Sequence, residues 1–212
     1  MKKKFNLSIL IITTAIFSFY AINKETKMEQ TIKKEHTQKV AYFAAGCFWC
    51  VEHIFESLKG VTEVVSGYSG GTEEDANYEA VCSGKTNHAE TVAIYYDSTQ
   101  IDYATLLVAF FASHDPSTLN RQGPDKGRHY RSAIFYTSTY ERDLSNNYIK
   151  QLLNEKKFSK ITTEVTAFEA FYEAETYHQD FKTNNPNNSY IQCVSVPRFE
   201  AFRKQYPELL KE

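Results

Sequence analysis

The sequence predicts an α+β domain in which helices pack on a sheet in two layers. Strand and helix patterns are interleaved along the chain without strict alternation, which is typical of this class. An apolar fraction of 42%, with 15% aromatic residues, is enough for a sizeable core and excludes intrinsic disorder. A length of 212 residues favours one domain, and a formal charge of −2 argues against a nucleic-acid binder.

The first 22 residues have the pattern of a signal peptide or an N-terminal membrane anchor. Lysines at positions 2–4 precede a mostly apolar run over residues 5–22. That run is at the lower limit of what crosses a bilayer, and Phe19 lies where signal cleavage favours a small residue. We expect an exported protein, periplasmic or membrane-anchored, and a cytoplasmic product if translation starts at Met28.

Residues 23–38 are polar and charged and offer no apolar face, so we expect a solvated linker there. The folded domain is predicted over residues 39–212. Apolar runs and period-two alternation indicate its first strands, glycines indicate turns, and an apolar stripe at helical spacing indicates its second helix. In order, these elements are a strand at residues 40–45, a helix at 47–58, strands at 61–67 and 89–96, and a helix capped by Asp102.

The second half of the domain starts with a long polar loop at residues 114–129, a length that is usually functional in a compact domain. Ser138 and Glu141 form the capping box of a further helix. In order, the later elements are a strand at residues 131–137, this helix to about residue 157, a strand at 162–168, a helix at 173–182 and a charged tail at 197–212. The order predicts a two-layer α/β sandwich of ferredoxin-like type with extensive loops.

Cys47 is the first residue whose position indicates chemistry. It follows a predicted strand and Gly46 and starts a predicted helix, so free backbone N–H groups and the helix dipole favour its thiolate. We therefore expect its pKa to lie below the usual thiol value of about 8.5. A buried structural cysteine is the alternative. Phe48 and Trp49 beside it form an apolar wall suited to a methyl or thioether group.

Cys50 completes a Cys-Phe-Trp-Cys motif with Cys47. The two sulfurs lie one helical turn apart and could close a disulfide. This spacing fits redox or metal chemistry. Zinc would need two further ligands, and Cys82 and Cys193 stand alone in the sequence, so we predict no metal site.

Further residues are candidates for handling a polar atom of a substrate. Glu90 shares a predicted strand face with apolar residues, and burial there would raise its pKa and make it a general acid. Tyr78 and Tyr130 lie in loops or at strand starts, where a phenol can donate into a cleft. Asp125 lies in the long loop, where a role in a turn is the alternative.

Taken together, these residues resemble the type A peptide methionine sulfoxide reductases. The resemblance covers roughly residues 39–210, and several blocks in the right order make it specific. The blocks are residues 46–52 (GCFWCVE), 66–71 (SGYSGG), 77–84 (NYEAVCSG), 88–90 (HAE), 114–123 (HDPSTLNRQG), 130–134 (YRSAI) and 173–180 (EAETYHQD). The resemblance implies reduction of methionine S-sulfoxide, free or in proteins, as a repair of oxidative damage and without a metal or organic cofactor.

The resemblance also implies roles for individual residues. Cys47 matches the nucleophile that attacks the sulfoxide sulfur, and Glu90 matches the acid that protonates the oxygen. The residues that match the methyl pocket or the contacts to the oxygen are Phe48, Trp49, Tyr78, Asp125 and Tyr130. The sulfenic acid on Cys47 would condense with a second thiol, and a thioredoxin-type donor would reduce the disulfide.

The position of the second cysteine differs from the family pattern. Many members carry it directly after a tyrosine in the C-terminal tail, whereas here an isoleucine follows Tyr190 and Cys193 lies further on. Cys50 is one helical turn from Cys47, and Cys193 follows a flexible Asn-Pro-Asn-Asn segment. We expect Cys50 to be the first partner, with Cys193 as the alternative or a second relay step, and Cys82 to be a packed, inert thiol.

Two other functions fit part of the pattern. A thioredoxin-like thiol–disulfide oxidoreductase would use the Cys-Phe-Trp-Cys motif directly and would have no use for Glu90. A membrane-anchored redox sensor or interaction domain would show no turnover. We expect a monomer and, if the protein is exported, a dedicated electron donor, because cytosolic thioredoxin would not reach it.

Overall fold

A mixed six-stranded sheet forms the centre of the protein in the computed structural model, which describes residues 37–212. The strands are β1 (Gln38–Ala45), β2 (Val61–Ser69), β3 (Ala89–Asp97), the short hairpin strands β4 (Arg121–Gln122) and β5 (Asp125–Lys126), β6 (Ser132–Tyr136), β7 (Glu164–Ala167) and β8 (Phe171–Glu173). The sheet order is β7-β6-β1-β3-β2-β8, with β4 and β5 paired separately. The predicted signal segment and residues 23–36 of the predicted linker lie outside the described residues.

Helices connect the strands, and two of them start at side-chain caps that the sequence predicts. The helices are α1 (Phe48–Glu56), α2 (Tyr78–Cys82), α3 (Tyr103–Ala112), α4 (Thr139–Asn154), α5 (Phe181–Asn184) and α6 (Val196–Gln205). The carboxylate of Asp102 accepts the amide of Thr105 at 2.8 Å, and the hydroxyl of Ser138 accepts the amide of Glu141 at 3.2 Å. Among the helices of residues 37–212, none is long and apolar enough to span a bilayer.

The core lies between one face of the sheet and two helices. The ring of Phe43 on β1 contacts Phe55 of α1 at 5.7 Å and Phe110 of α3 at 4.9 Å, measured between ring centroids. These helices therefore cover the same face of the sheet. On β1 the neighbouring residue, Tyr42, stacks on Phe168 at 4.0 Å. The predicted α+β class is confirmed, with Lys39–Glu212 forming one compact unit.

The predicted helix at residues 173–182 is wrong. Phe171–Glu173 instead adds strand β8 to the edge of β2, and α5 begins only at Phe181. The pairing requires a glycine on the facing strand, because a Cβ on Gly67 would lie 2.4 Å from the backbone oxygen of Tyr172. Strand β8 thus depends on a contact that the local pattern does not contain.

The predicted charged tail at residues 197–212 is also wrong over its first half. A π-helical turn, Ile191–Ser195, leads directly into α6. Phe202 of this helix is fully buried, and Phe199 and Tyr206 are packed against the core. These aromatic residues follow helical spacing, and the charged residues between them occupy the solvent side.

Candidate active site

Cys47 occupies the turn between β1 and α1. Gly46 makes this turn at φ +88°, and a Cβ there would meet the side chain of Gln122 at 2.5 Å. The carbonyl of Cys47 accepts the amides of Cys50 and Val51 at 3.1 and 3.4 Å, so Cys47 is the residue that caps α1. Its side chain is only 6% exposed, which places the sulfur at the inner end of the helix.

Glu90 lies at the start of β3, directly against this helix end. One carboxyl oxygen accepts the amide of Phe48 at 3.0 Å, and the residue is 2% exposed. Burial raises the pKa of Glu90 to about 8, against a lowering effect of the Phe48 amide. The sequence-based expectation of a raised pKa is confirmed, and the group is mostly protonated at neutral pH.

The thiols of Cys47 and Cys50 are neighbours that change each other's acidity. The Cys47 thiol, the positive charge of Arg198 and the hydroxyl of Ser195 lower the pKa of Cys50 to about 6. Burial, the neighbouring Cys50 and the nearby Glu90 raise the pKa of Cys47. The expected low pKa of Cys47 is therefore wrong. The two shifts favour the thiol form of Cys47 and the thiolate form of Cys50.

An aromatic wall stands beside the two thiols. Trp49 stacks on Phe181 with ring centroids 3.6 Å apart and an interplanar angle of 7°. Its indole N–H donates to Nδ1 of His178 at 3.0 Å, and the Phe48 ring lies 4.9 Å from the His178 ring. The hydrogen bond and the stack fix the indole plane, so the wall is rigid.

The phenols of Tyr78 and Tyr130 lie near Glu90 and the thiol of Cys47. Tyr78 begins α2, where its amide donates to Glu175 at 2.9 Å, and Tyr130 ends a helical turn before β6. Burial is the main cause that raises the pKa of Tyr78 and of Tyr130, and the charge of Glu90 adds to both. Both phenols are thus protonated donors at neutral pH.

Asp125 is joined to the thiol pair through a tyrosine. The hydroxyl of Tyr190 donates to a carboxylate oxygen of Asp125 at 2.6 Å and lies 3.9 Å from the sulfur of Cys50. Burial raises the pKa of Asp125, while the Tyr190 hydrogen bond opposes this rise. The alternative of a simple turn role does not account for this contact.

The chain matches known proteins over nearly all of its described length. The family model for peptide methionine sulfoxide reductase covers residues 39–210. The chain belongs to this family. A relative from Synechocystis sp., peptide methionine sulfoxide reductase MsrA 2, is 49% identical over 173 residues, which is 81% of either chain. One from Chromobacterium violaceum is 46% identical over 81% of this chain and 98% of its own length.

A solved structure agrees with this membership. Mxr1 of Saccharomyces cerevisiae in its reduced form superposes with a TM-score of 0.68 at 31% identity, over 76% of this chain and 91% of the yeast chain. The protein is accordingly an oxidoreductase that reduces methionine sulfoxide with thiols.

In this peptide methionine sulfoxide reductase the predicted candidates converge, with one exception. The N-terminal end of α1 is surrounded by Cys47, Cys50, Glu90 and the predicted substrate-binding residues. Cys193 does not join them. It is exposed on the outer side of the Ile191–Ser195 turn, whereas Ile191 and Ser195 face inward.

Sequence reasoning missed the contribution of the C-terminal segment to this reductase site. Tyr190, Ser195 and Arg198 all act on the sulfur of Cys50. Arg198 also donates to the backbone oxygens of Ala45 and Ser113, which ties α6 to the end of β1. The helical spacing of the aromatic residues in α6 was the available indication that this segment is not a tail.

Proposed function

We propose that Cys47 attacks the sulfur of methionine S-sulfoxide while Glu90 protonates the sulfoxide oxygen. The observation that carries this proposal is the position of a buried, protonated carboxyl 3.0 Å from the amide that follows Cys47. A general acid must hold a proton near neutral pH and lie close to the atom that it protonates. Glu90 meets both conditions beside the nucleophile.

The thiolate of Cys50 accepts the proton of Cys47 as the attack begins. The sulfur of Cys47 forms a bond to the substrate, Glu90 gives its proton to the oxygen, and the oxygen passes to Cys47. The products are methionine, a sulfenic acid on Cys47, a thiol on Cys50 and the carboxylate of Glu90. Methionine sulfoxide is reduced by two electrons, and Cys47 is oxidised by the same number.

Cys50 is then the first resolving residue. Its thiol attacks the sulfenic sulfur of Cys47, the disulfide forms, and water leaves. The position of both cysteines in one turn of α1, with the Cys50 amide 3.1 Å from the Cys47 carbonyl, supports this assignment, and the outward position of Cys193 disfavours that residue for the first step. Cys193 retains a role only as a later relay.

The aromatic wall and the phenols give the substrate its orientation. The faces of Phe48 and Trp49 suit the methyl group, and Tyr78 and Tyr130 donate to the sulfoxide oxygen. Asp125 acts through Tyr190, which it holds near the thiols. Such an arrangement is chiral, so it accepts one epimer of the sulfoxide.

A dithiol donor of the thioredoxin type closes the cycle by reducing the disulfide of Cys47 and Cys50. The thiol pair supplies both electrons, so the scheme needs no organic cofactor. We also infer that the inner strands follow the ferredoxin-like order, since the element sequence β1-α1-β2-β3-α3-β6 combines with the sheet order β6-β1-β3-β2.

The test gives the full chain separate S and R epimers of a methionine sulfoxide peptide, with dithiothreitol as reductant. We expect turnover of the S epimer alone and complete loss in Cys47→Ser. Turnover of the R epimer, or activity that survives in Cys47→Ser, would contradict the assignment. A folded wild-type protein that reduces disulfides but neither epimer would favour the thiol–disulfide oxidoreductase instead.

A further inference from the structure

Metal-binding side chains of three different residues converge beside the catalytic acid. Cys82 comes from the end of α2, Glu90 from β3, and His129 from the helical turn Arg128–Tyr130. One ligand atom of each lies within 4.8 Å of those of the other two. The prediction of no metal site rested on spacing along the chain, and this trio forms only in the fold.

His129 can act as a metal ligand because its ring is buried and, among the described residues, one ring nitrogen lacks a hydrogen-bond partner. The residue is 6% exposed, and its Nδ1 has no hydrogen bond within residues 37–212. The ring packs against Gly127, where a Cβ would lie 2.6 Å from Cε1, so only glycine leaves room for this orientation. Burial lowers the pKa of His129 and keeps the imidazole neutral, which is the form that binds metals.

Cys82 offers a thiol with access to solvent. It is half-buried, unlike the fully buried Glu90, and the phenol of Tyr78 lies near its sulfur. Burial raises the pKa of Cys82, and the Tyr78 phenol partly opposes this rise. The partial exposure of Cys82 gives an ion a path to the two buried ligands, so Cys82 is not simply a packed, inert thiol.

We propose that Cys82, Glu90 and His129 bind a thiophilic divalent cation, Zn²⁺ by the ligand set, and that the bound ion inhibits the reductase. Sulfur, nitrogen and carboxylate oxygen are the ligands that zinc takes, at about 2.0–2.3 Å, with a fourth position left for water. Ligand atoms within 4.8 Å of one another reach that geometry through side-chain shifts of roughly 1 Å. Binding releases the protons of Cys82 and Glu90 to solvent, and a carboxylate that coordinates the ion cannot protonate the substrate.

Binding is tested first, without reference to activity. The full chain has four cysteines, and Cys47→Ser, Cys50→Ser and Cys193→Ser together leave Cys82 as the only thiol. Titration with Co²⁺ should give a thiolate-to-cobalt charge-transfer band that saturates at about one ion per chain and is displaced by Zn²⁺. Adding His129→Gln should weaken binding by roughly tenfold or more. Circular dichroism establishes that each variant is folded.

A matched histidine variant controls for a general loss of metal affinity. His53 lies on α1 and packs edge-on against Phe199, away from the trio. His53→Gln on the same background should therefore bind Co²⁺ as tightly as its parent. No charge-transfer band, or equal weakening by His53→Gln and His129→Gln, would overturn the proposed site.

Inhibition is tested second, and this part rests on the proposed role of Glu90. Pre-reduced full chain receives one equivalent of S-sulfoxide peptide without added thiol, and methionine is measured with increasing Zn²⁺. We expect Cys82→Ser and His129→Gln to keep turnover and to need at least ~10-fold more Zn²⁺ for half inhibition. Unchanged zinc sensitivity in both would place the inhibitory ion on Cys47 and Cys50 and overturn the inhibitory role. If the proposed catalytic role of Glu90 is wrong, Glu90→Gln will retain turnover. That result distinguishes failure of the proposed function from failure of the zinc site.

Discussion

Burial sets the acidity of the groups in the site, and Glu90 shows this most directly. Its carboxyl is enclosed by β3 and the start of α1 and accepts one backbone amide. A single hydrogen bond to a carboxylate does not offset the loss of solvent, so the acid keeps its proton at neutral pH. A carboxyl in water would be ionised there and could not act as an acid.

Glu90→Gln tests this acid. The amide keeps the size and accepts the Phe48 amide but has no proton to give, so we expect turnover of S-sulfoxide to fall ~10²- to 10⁴-fold. In the wild type the rate should be highest between about pH 6 and 8. It should fall below about pH 6, where Cys50 is protonated, and above about pH 8, where the acid form of Glu90 is lost. The measurement is a single-turnover pH profile. A profile with the same fall at high pH in Glu90→Gln would assign the titration to another group.

Cys50→Ser tests the resolving step. In an assay with a thioredoxin-type donor, the pre-reduced variant should release about one equivalent of methionine and then stop, because the sulfenic acid on Cys47 has no neighbouring thiol. Cys193→Ser is the matched variant and should retain multiple turnovers. The opposite pattern, in which Cys193→Ser stops after one equivalent and Cys50→Ser continues, would make Cys193 the resolving residue.

At the scale of elements, α1 connects the catalytic cysteine to a buried carboxyl, Glu52, and a partly buried one, Glu56. Glu52 of this helix is buried, and its carboxylate accepts the hydroxyl of Ser66 at 3.0 Å. Burial raises the pKa of Glu52 to about 8 and, together with the charge of Asp180, that of Glu56 to about 7. Asp180 directly precedes α5, which carries the Phe181 ring that stacks on Trp49. Protons on Glu52 and Glu56 therefore reduce the repulsion between these carboxyls and Asp180.

Glu52 and Glu56 make a contribution to the free energy of unfolding that falls as the pH rises. The folded pKa values of Glu52 and Glu56 lie above the ordinary value of 4.5, so the folded state binds more protons than the unfolded state between that pH and about 8. Their contribution is complete below pH 4.5 and is lost as the pH passes through about 7 to 8. Glu52→Gln should flatten the dependence and raise the Tm near pH 8 by a few degrees, at roughly 2–4 °C per kcal/mol.

Calorimetry at several pH values checks this, with Glu63→Gln as the matched control. Glu63 is exposed on β2, so its replacement should leave the pH dependence of the Tm unchanged. Equal effects of the two substitutions on the pH dependence of the Tm would contradict the role of Glu52 and Glu56.

The elements that the sequence predicts correctly are those that local patterns determine. Strand β3 is rich in β-branched and aromatic residues. The helices α3 and α4 start at Asp102 and Ser138, whose side chains bond within their own turn. Strand β8 and helix α5 are too short for periodicity to show, and β8 exists only because Gly67 lets another strand approach. Short elements of this kind depend on tertiary contacts.

The same distinction holds within the site. The position of Cys47 and the burial of Glu90 follow from the β1-turn-α1 pattern and from the apolar face of β3. The pKa of Cys47 does not follow, because it depends on Cys50 and Glu90 across the site. Arg198 could not be placed either, because its link to Cys50 spans most of the chain.

At the scale of the whole molecule, the compact unit Lys39–Glu212 contains every group of the proposed reaction. We propose that the basic and apolar pattern of residues 1–22 directs export of the protein. Location matters for this chemistry because the cycle ends in a disulfide that another dithiol has to reduce. The monomeric state stays a prediction.

Export is tested with a fusion of residues 1–38 to alkaline phosphatase in a bacterial host. This reporter needs disulfides, which form outside the cytoplasm, so an export segment should give active phosphatase. The matched fusion starts at Met28, lacks the apolar run, and should be inactive. Activity of the longer fusion alone would mean that Cys47 and Cys50 work in an oxidising compartment, where a dedicated dithiol donor has to keep them reduced. If both fusions are inactive, the reductase works in the cytosol, cytosolic thioredoxin can serve as the donor, and no dedicated donor is needed.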